Sequence, residues 1–157
     1  MRFVWGFGVV STLAMLAWPA ASMAAEMRGV STTEIKIGQT MPYSGPVSAF
    51  GALGKGEVAY FKMLNERGGI NGRKVNLISL DDSYAPPKTV EQTRRLVESD
   101  EVALIFSSIG TAHNTAVAKY LQSKNIPQLF VGSGASKFAD MLAVEVNVED
   151  ALGVVAP

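Results

Sequence analysis

The chain has 157 residues, enough for one domain with a buried core of its own. Its 14 basic residues equal its 14 acidic residues, so no basic excess indicates nucleic-acid binding and no acidic run indicates a solvating tail. The absence of cysteine excludes disulfides, thiol catalysis, cysteine metal sites and a lipid anchor on an N-terminal cysteine.

The first 24 residues have the pattern of a secretory signal peptide. Arg2 is their only charged residue, residues 3–17 are mostly apolar, and Ser22-Met23-Ala24 offers small residues at the −3 and −1 positions of a cleavage site. A retained membrane anchor is disfavoured, because the apolar stretch is shorter than the roughly 20 residues that span a bilayer. We therefore predict a signal peptide at 1–24 and export of the remaining chain.

After a polar segment at 25–33, which we predict to be a flexible mature N-terminus, strand patterns alternate with helical patterns. In chain order they are a strand at 35–37, a helix at 53–67, a strand at 75–80, a helix opening at Pro86-Pro87, a strand at 102–106, a helix at 114–124 and a strand at 129–131. In the first helix, Val58, Phe61 and Leu64 recur every three positions, which predicts that this side is buried.

This alternation of strands and helices with short links predicts an α/β fold. Because crossovers between parallel strands are right-handed, the fold is predicted to be a doubly wound parallel sheet with the flavodoxin-like strand order 2-1-3-4. Ligands bind such sheets at the carboxyl ends of the strands, where this chain has four loops. They are residues 41–51, 81–86, 107–113 and 132–137.

Four short motifs follow one another in order along this pattern. They are Ser44-Gly45-Pro46 after the first strand, Gly68-Gly69-Ile70-Asn71-Gly72-Arg73 after the first helix, Asp81-Asp82 ending the second strand, and Pro87-Lys88 opening the second helix. Over residues 34–138 the ordered set resembles the periplasmic solute-binding proteins of branched-chain amino acid ABC transporters, the leucine/isoleucine/valine-binding family. The resemblance implies that residues 34–138 are the first lobe of a type I periplasmic binding fold.

The resemblance also implies a function in transport, with no catalysis and no cofactor. A protein of this family is exported to the periplasm, captures an amino acid or a related small carboxylate-bearing solute, and delivers it to an ABC permease in the inner membrane. Two alternatives are a truncated product that binds nothing and a ligand-sensing regulator of the same fold. A Rossmann-type enzyme is disfavoured, because Lys137 stands where the dinucleotide fingerprint begun by Gly132 and Gly134 needs its third glycine.

The implied ligand site lies on two loops. In the family, the loops after the third and fourth strands hold the α-carboxylate and α-amino group of an amino acid. This assigns ligand binding to Gly110 and Thr111 in the first loop and to Gly134 and Ser136 in the second. The alternative is that the hydroxyls only cap helices and turns. Phe50 is implied to cover the ligand side chain, and its alternative is simple core packing.

Two further features of the sequence have structural explanations. Asp81 and Asp82 are adjacent at a strand end and point to opposite faces, so they are predicted to form turns rather than to share a metal or a proton. His113 is the only histidine and is predicted to be solvated at a helix start. Without a second histidine or any cysteine, the chain offers no His-metal cluster and no hydrolytic dyad.

The resemblance weakens after Phe138. Residues 139–157 form a divergent tail in which Leu142, Val144 and Val146 alternate as in a strand. Members of the family are much longer than this chain. The resemblance therefore implies a truncated or fragmentary form that lacks the second lobe.

Overall fold

The structure, a computed structural model, describes residues 27–138. Its elements are β1 (Glu34–Met41), α1 (Gly51–Glu66), β2 (Lys74–Asp81), α2 (Pro86–Glu98), β3 (Leu104–Phe106), α3 (Thr111–Ser123) and β4 (Gln128–Leu129). A short 3₁₀ turn, Ser48–Phe50, precedes α1. The predicted signal peptide at 1–24 and the predicted tail at 139–157 lie outside the described residues.

The four strands form one parallel sheet with the order β2-β1-β3-β4. The predicted fold class, a doubly wound α/β sheet with the order 2-1-3-4, is thus confirmed. The pairing of β1 with β2 extends over both strands, from Glu34↔Lys74 to Met41↔Asp81. The long β1 strand therefore brings the loops that follow β1 and β2 to the same edge of the sheet.

The predicted elements are all present, but two boundaries differ in ways that affect the site. The first strand continues four residues beyond the predicted end at Ile37, to Met41. The third helix begins at Thr111, three residues before the predicted start at Asn114. The first turn of α3 was missed because it carries no apolar stripe, and Thr111 is consequently a helix residue and not a loop residue.

One face of the sheet is covered by α2 and α3. The buried residues of this core are Leu96, Val97, Val102, Ile105, Val117, Leu121 and Ile126. The prediction from periodicity is confirmed here, because the Leu96-Val97 and Val117-Leu121 positions turn inward as expected for helices of period 3.6. Pro86 stands at the first position of α2, where its missing N–H costs nothing.

The other face is covered by α1, which packs over β1 and β2. Phe61 and Leu64 lie against the buried residues Ile35, Ile37 and Val75. The prediction that Val58 is buried with them is wrong, since its side chain is 43% exposed. Six residues along a helix turn the side chain by about 240°, so Val58 lies about 120° from Leu64 and misses the flat surface of the sheet.

The described part of the predicted flexible N-terminus lies against the start of the sheet. Gly29 accepts a hydrogen bond from the Lys36 backbone N–H at 2.7 Å, and Val30 pairs with Ile35 in an antiparallel bridge. The Ser31 hydroxyl accepts a hydrogen bond from the Glu34 backbone N–H at 2.9 Å. These contacts extend the sheet region at least as far back as Gly29.

Two glycines of α1 provide a matched test of how closely this helix packs. A Cβ at Gly54 would overlap the Tyr43 hydroxyl and lie 2.8 Å from Met41 Cγ, whereas a Cβ at Gly56 would have nothing within 4 Å. Overpacking costs about 1–3 kcal/mol and alanine gains about 1 kcal/mol in a helix. We expect Gly54→Ala to lower the free energy of unfolding by about 1 kcal/mol and Gly56→Ala to raise it by a similar amount, measured by urea denaturation. Stabilisation by both alanines would contradict the close contact.

Candidate functional site

Four loops meet at the carboxyl edge of the sheet, as predicted. Residues 42–50 follow β1, residues 82–85 follow β2, residues 107–110 follow β3 and residues 130–136 follow β4. Contacts join each loop to at least one other. The four loops therefore lie together along one edge of the sheet.

The loops after β1 and β2 are joined by the carboxylate of Asp81. Oδ1 accepts hydrogen bonds from the backbone N–H groups of Tyr43, Ser44 and Ser83, at 2.9–3.1 Å. Oδ2 accepts from the hydroxyls of Ser44 at 2.6 Å and Ser83 at 3.1 Å, and from Lys88 Nζ at 3.1 Å. Burial raises the pKa of Asp81, but these hydrogen bonds outweigh it and hold the pKa well below its ordinary value.

The neighbouring Asp82 has separate partners. Its buried carboxylate accepts hydrogen bonds from the Tyr84 backbone N–H at 3.0 Å and from the Thr89 hydroxyl at 2.9 Å. The two aspartates thus serve two different turns, as the sequence predicted. Among residues 27–138 no group of three or more His, Asp or Glu side chains could hold a metal ion.

Hydrogen bonds from the Asn114 side chain fix the loop after β3. Its side chain is fully buried, and Nδ2 donates to the backbone oxygens of Ser108 at 3.1 Å and Gly110 at 2.8 Å. Its Oδ1 accepts from Gln128 Nε2, at the start of β4. The sequence analysis missed this role, although an asparagine four residues after a glycine at a helix start is a recognisable signal for such a bond.

The loops after β3 and β4 lie side by side. The Gly110 backbone N–H donates to Gly132 O, and the Gly132 N–H donates to Ser108 O, both at 2.9 Å. Above this pair the hydroxyls of Thr111 and Ser133 are hydrogen-bonded at 2.7 Å. Two predicted site loops are therefore in contact, and Ser133, which the sequence analysis did not select, is the direct neighbour of Thr111.

The remaining predicted site residues are all accessible. Gly134 and Ser136 are exposed in the loop after β4, and a Cβ at Gly134 would meet nothing within 4 Å. Phe50 ends the 3₁₀ turn that precedes α1, and its side chain is 51% exposed. The structure places these three residues at the carboxyl edge, but it does not show them in contact with Thr111.

His113 is buried, so the prediction that it is solvated is wrong. Its ring stacks on Tyr84 with the centroids 4.1 Å apart, and no described residue hydrogen-bonds to either nitrogen. Room for the ring comes from Gly110, where a Cβ would overlap Nδ1. Gly110 also has φ of 108°, a conformation that favours glycine. Both the backbone conformation and the contact with the ring therefore require glycine at this position. The stack joins the loop after β2 to the first turn of α3.

The N-terminus of α3 is the part of this edge best suited to hold an anion. No side chain of the described residues caps it, and Thr111 and Ala112 are exposed. Backbone N–H groups in a first helical turn have no partner within the helix, and the helix dipole favours negative charge there. The hydroxyls of Thr111 and Ser133 lie beside it, and since one of them donates to the other, one hydroxyl hydrogen of the pair is left to donate. The arrangement suits a ligand carboxylate.

A doubly wound sheet of this kind places its loops at the strand ends, which is where α/β proteins of this architecture commonly bind small molecules. The sequence model of the periplasmic binding proteins matches residues 34–144, and the chain belongs to that family. None of the helices within 27–138 is both long enough and apolar enough to span a membrane.

Individual relatives agree with this assignment. A Leu/Ile/Val-binding protein homolog of Brucella melitensis is 27% identical over 124 residues, which are 77% of this chain and 31% of the relative. A substrate-binding periplasmic protein from Ralstonia solanacearum is 31% identical, with a TM-score of 0.63, over 66% of this chain and 30% of that one. A fatty acid ABC transporter substrate-binding protein from Thermomonospora curvata is 25% identical, with a TM-score of 0.56, over 64% of this chain and 26% of that one. The chain spans about a third of the length of the curated relatives it matches.

Proposed function

We propose that the chain is the first lobe of an exported solute-binding protein that captures an amino acid or a related small carboxylate-bearing solute and delivers it to an ABC permease. It binds its solute and transforms nothing. The observation that carries this proposal is the uncapped N-terminus of α3 beside the hydrogen-bonded hydroxyls of Thr111 and Ser133.

The solute class follows from what that site can recognise. A helix N-terminus binds a carboxylate through backbone N–H groups, without needing a positive side chain. The relatives named for leucine, isoleucine and valine and the neighbour named for fatty acids differ in solute, but all these solutes carry a carboxylate. A carboxylate site at Gly110 and Thr111 is consistent with both classes of solute, the branched-chain amino acids and the fatty acids. An amino group would then face Gly134 and Ser136, and Phe50 would cover the solute's side chain.

Amide chemical shifts of the ¹⁵N-labelled chain would test the site directly. Leucine, titrated to the limit of its solubility because one lobe alone should bind it only weakly, should shift the amide signals of Gly110, Thr111 and the 132–136 loop. Leucinamide, which has the same side chain and amino group but no carboxylate, should leave the Gly110 and Thr111 signals in place. If leucine shifts no amide at this edge, or if leucinamide acts equally on it, the carboxylate site is refuted.

Export is the second part of the proposal and can be checked separately. Residues 1–24 have the charge, apolar core and small residues of a cleaved signal peptide. Mass spectrometry of a periplasmic extract should detect a chain that begins at or near Ala25. A chain that keeps Met1 and stays in the cytoplasm would instead favour the ligand-sensing regulator.

A further inference from the structure

The His113 imidazole is a buried polar group without a partner. The residue is 4% exposed, and neither ring nitrogen has a hydrogen-bond partner among the described residues. An imidazole always has at least one N–H donor, and a buried donor without an acceptor is costly. Native proteins rarely leave such a group unpaired, which indicates that the imidazole finds its partner in another state of the site.

The ring lies beside the helix end to which the carboxylate site is assigned. His113 is the third residue of α3, and helical side chains tilt toward the N-terminus of their helix. Its Nδ1 occupies the place of a side chain at Gly110, the residue before the helix, because a Cβ there would overlap this nitrogen. Side chains at that position normally reach the free N–H groups of the first turn. A carboxylate held by those N–H groups would therefore be a neighbour of Nδ1.

Tyr84 covers the imidazole in this structure. Its ring stacks on His113 with the centroids 4.1 Å apart and the two planes tilted by 35°. Tyr84 also has φ of 56°, and bulky residues seldom adopt a positive φ. Departure of the Tyr84 ring would both relax this backbone and uncover the nitrogens. Tyr84 is thus the group that has to move before the imidazole can meet a ligand.

We propose that His113 is a further solute-binding residue with Tyr84 as its cover. When a solute carboxylate binds at the N-terminus of α3, the Tyr84 ring moves aside and an imidazole N–H donates to the carboxylate. This inference rests on the carboxylate site proposed above and adds a side-chain donor to its backbone donors. It also gives the site selectivity, because a solute without an acceptor at this point leaves the imidazole unpaired.

Two substitutions predict effects of opposite sign on the affinity for leucine. His113→Phe keeps a ring for the stack but removes both nitrogens, and we expect binding to weaken about tenfold. Tyr84→Ala removes the cover, and we expect binding to tighten at least threefold, because the binding-competent state no longer requires displacement of a ring. If Tyr84 only supported the two loops, its removal would weaken binding instead. Tyr60→Ala is the control, since Tyr60 is 55% exposed in the middle of α1, and it should leave the affinity unchanged.

One NMR titration of the purified chain measures both the affinity and the movement of the ring. His113 is the only histidine, so its imidazole signals are unique. Leucine, added toward its solubility limit, should shift these ring signals together with the amide signals of Gly110 and Thr111. It should also reduce the nuclear Overhauser contacts between the His113 and Tyr84 rings. Leucinamide, which lacks the carboxylate, should change neither.

The outcomes separate this inference from the proposed function. Imidazole signals that stay fixed while the amides of Gly110 and Thr111 shift would overturn the role of His113 and leave the carboxylate site intact. Unchanged affinity in His113→Phe or weaker binding in Tyr84→Ala would do the same, as would Overhauser contacts from the imidazole to a long-lived water that persist with leucine bound. If leucine shifts no amide at this edge, the carboxylate site fails and the role of His113 fails with it. Circular dichroism would verify that the variants fold, and the imidazole signals of the unchanged chain decide the question without them.

Discussion

Asp81→Ala should lower the free energy of unfolding by about 3 kcal/mol at neutral pH. Each hydrogen bond to a charged group contributes about 1.5–3 kcal/mol, but water can hydrogen-bond to some of the donors that the carboxylate leaves, so the total is less than the sum. The carboxylate is the common acceptor for six donor groups on two loops and α2. It also holds Ser83 at φ of 51°, a conformation that a serine does not favour. Both loops should loosen when the carboxylate is removed.

An intermediate substitution separates the charge from the hydrogen bonds. Asp81→Asn keeps one oxygen for the backbone N–H groups of Tyr43, Ser44 and Ser83. Its amide nitrogen faces Lys88 and loses that partner. We expect a loss of about 1–2 kcal/mol, smaller than for alanine. Glu34→Gln is a suitable control, because the Glu34 carboxylate accepts a single surface hydrogen bond from Asn76. This substitution should change the free energy of unfolding by no more than about 0.5 kcal/mol.

The pH dependence of stability distinguishes the carboxylate's role from simple packing. The pKa of Asp81 in the folded chain lies below its ordinary value of 3.8. A lowered pKa means that the contribution of Asp81 is fully present above pH 3.8 and is lost as the pH falls below it toward the folded pKa. Below pH 3.8, the stability of the unchanged chain should therefore fall more steeply than that of Asp81→Asn, and the two curves should converge. Parallel curves throughout this range would show that Asp81 is not the group that titrates.

Sequence periodicity predicted the fold well where a helix has a clear apolar side. The α2 helix is the best case, with Thr93, Leu96 and Val97 all buried as expected. It failed for α1, whose only buried residues are Gly51 and Gly54. A helix that packs through glycines gives no apolar stripe at its closest contact, so the pattern of Val58, Phe61 and Leu64 pointed in part to the wrong side.

The candidate site was predicted at the level of loops and less well at the level of side chains. The rule that ligands bind at strand ends selected four loops, and the structure brings these loops together at one edge of the sheet. It could not indicate that Asn114 holds the β3 loop or that Ser133 lies next to Thr111, because both depend on contacts between elements distant in sequence. His113 was misjudged for a related reason. The space that buries its ring is created by the missing side chain of Gly110, and only the folded loop reveals that relation.

The 157-residue chain by itself should bind amino acids only at millimolar concentrations or above. The proposed site uses one lobe, and the chain spans about a third of its curated relatives' length. A clamp that closes on its solute from two sides adds contacts and removes water. A chain without these contacts loses part of the binding free energy, and a loss of even about 4 kcal/mol weakens binding about a thousandfold. Titration calorimetry with leucine, isoleucine and valine would measure the affinity. Micromolar binding by the chain alone would refute the need for a second lobe.

Binding should tighten when a second lobe is added to the chain. A chimera that continues this chain with the remaining two thirds of the Brucella melitensis relative should bind about a thousandfold more tightly than the chain alone. In that chimera Thr111→Val should weaken binding by about 1–3 kcal/mol, because a ligand carboxylate loses a hydroxyl donor. Ser123→Ala is the control: its hydroxyl bonds to Tyr120 O at the far end of α3, away from the proposed site, and this variant should bind with unchanged affinity. If the two variants have equal effects, the N-terminus of α3 does not hold the carboxylate.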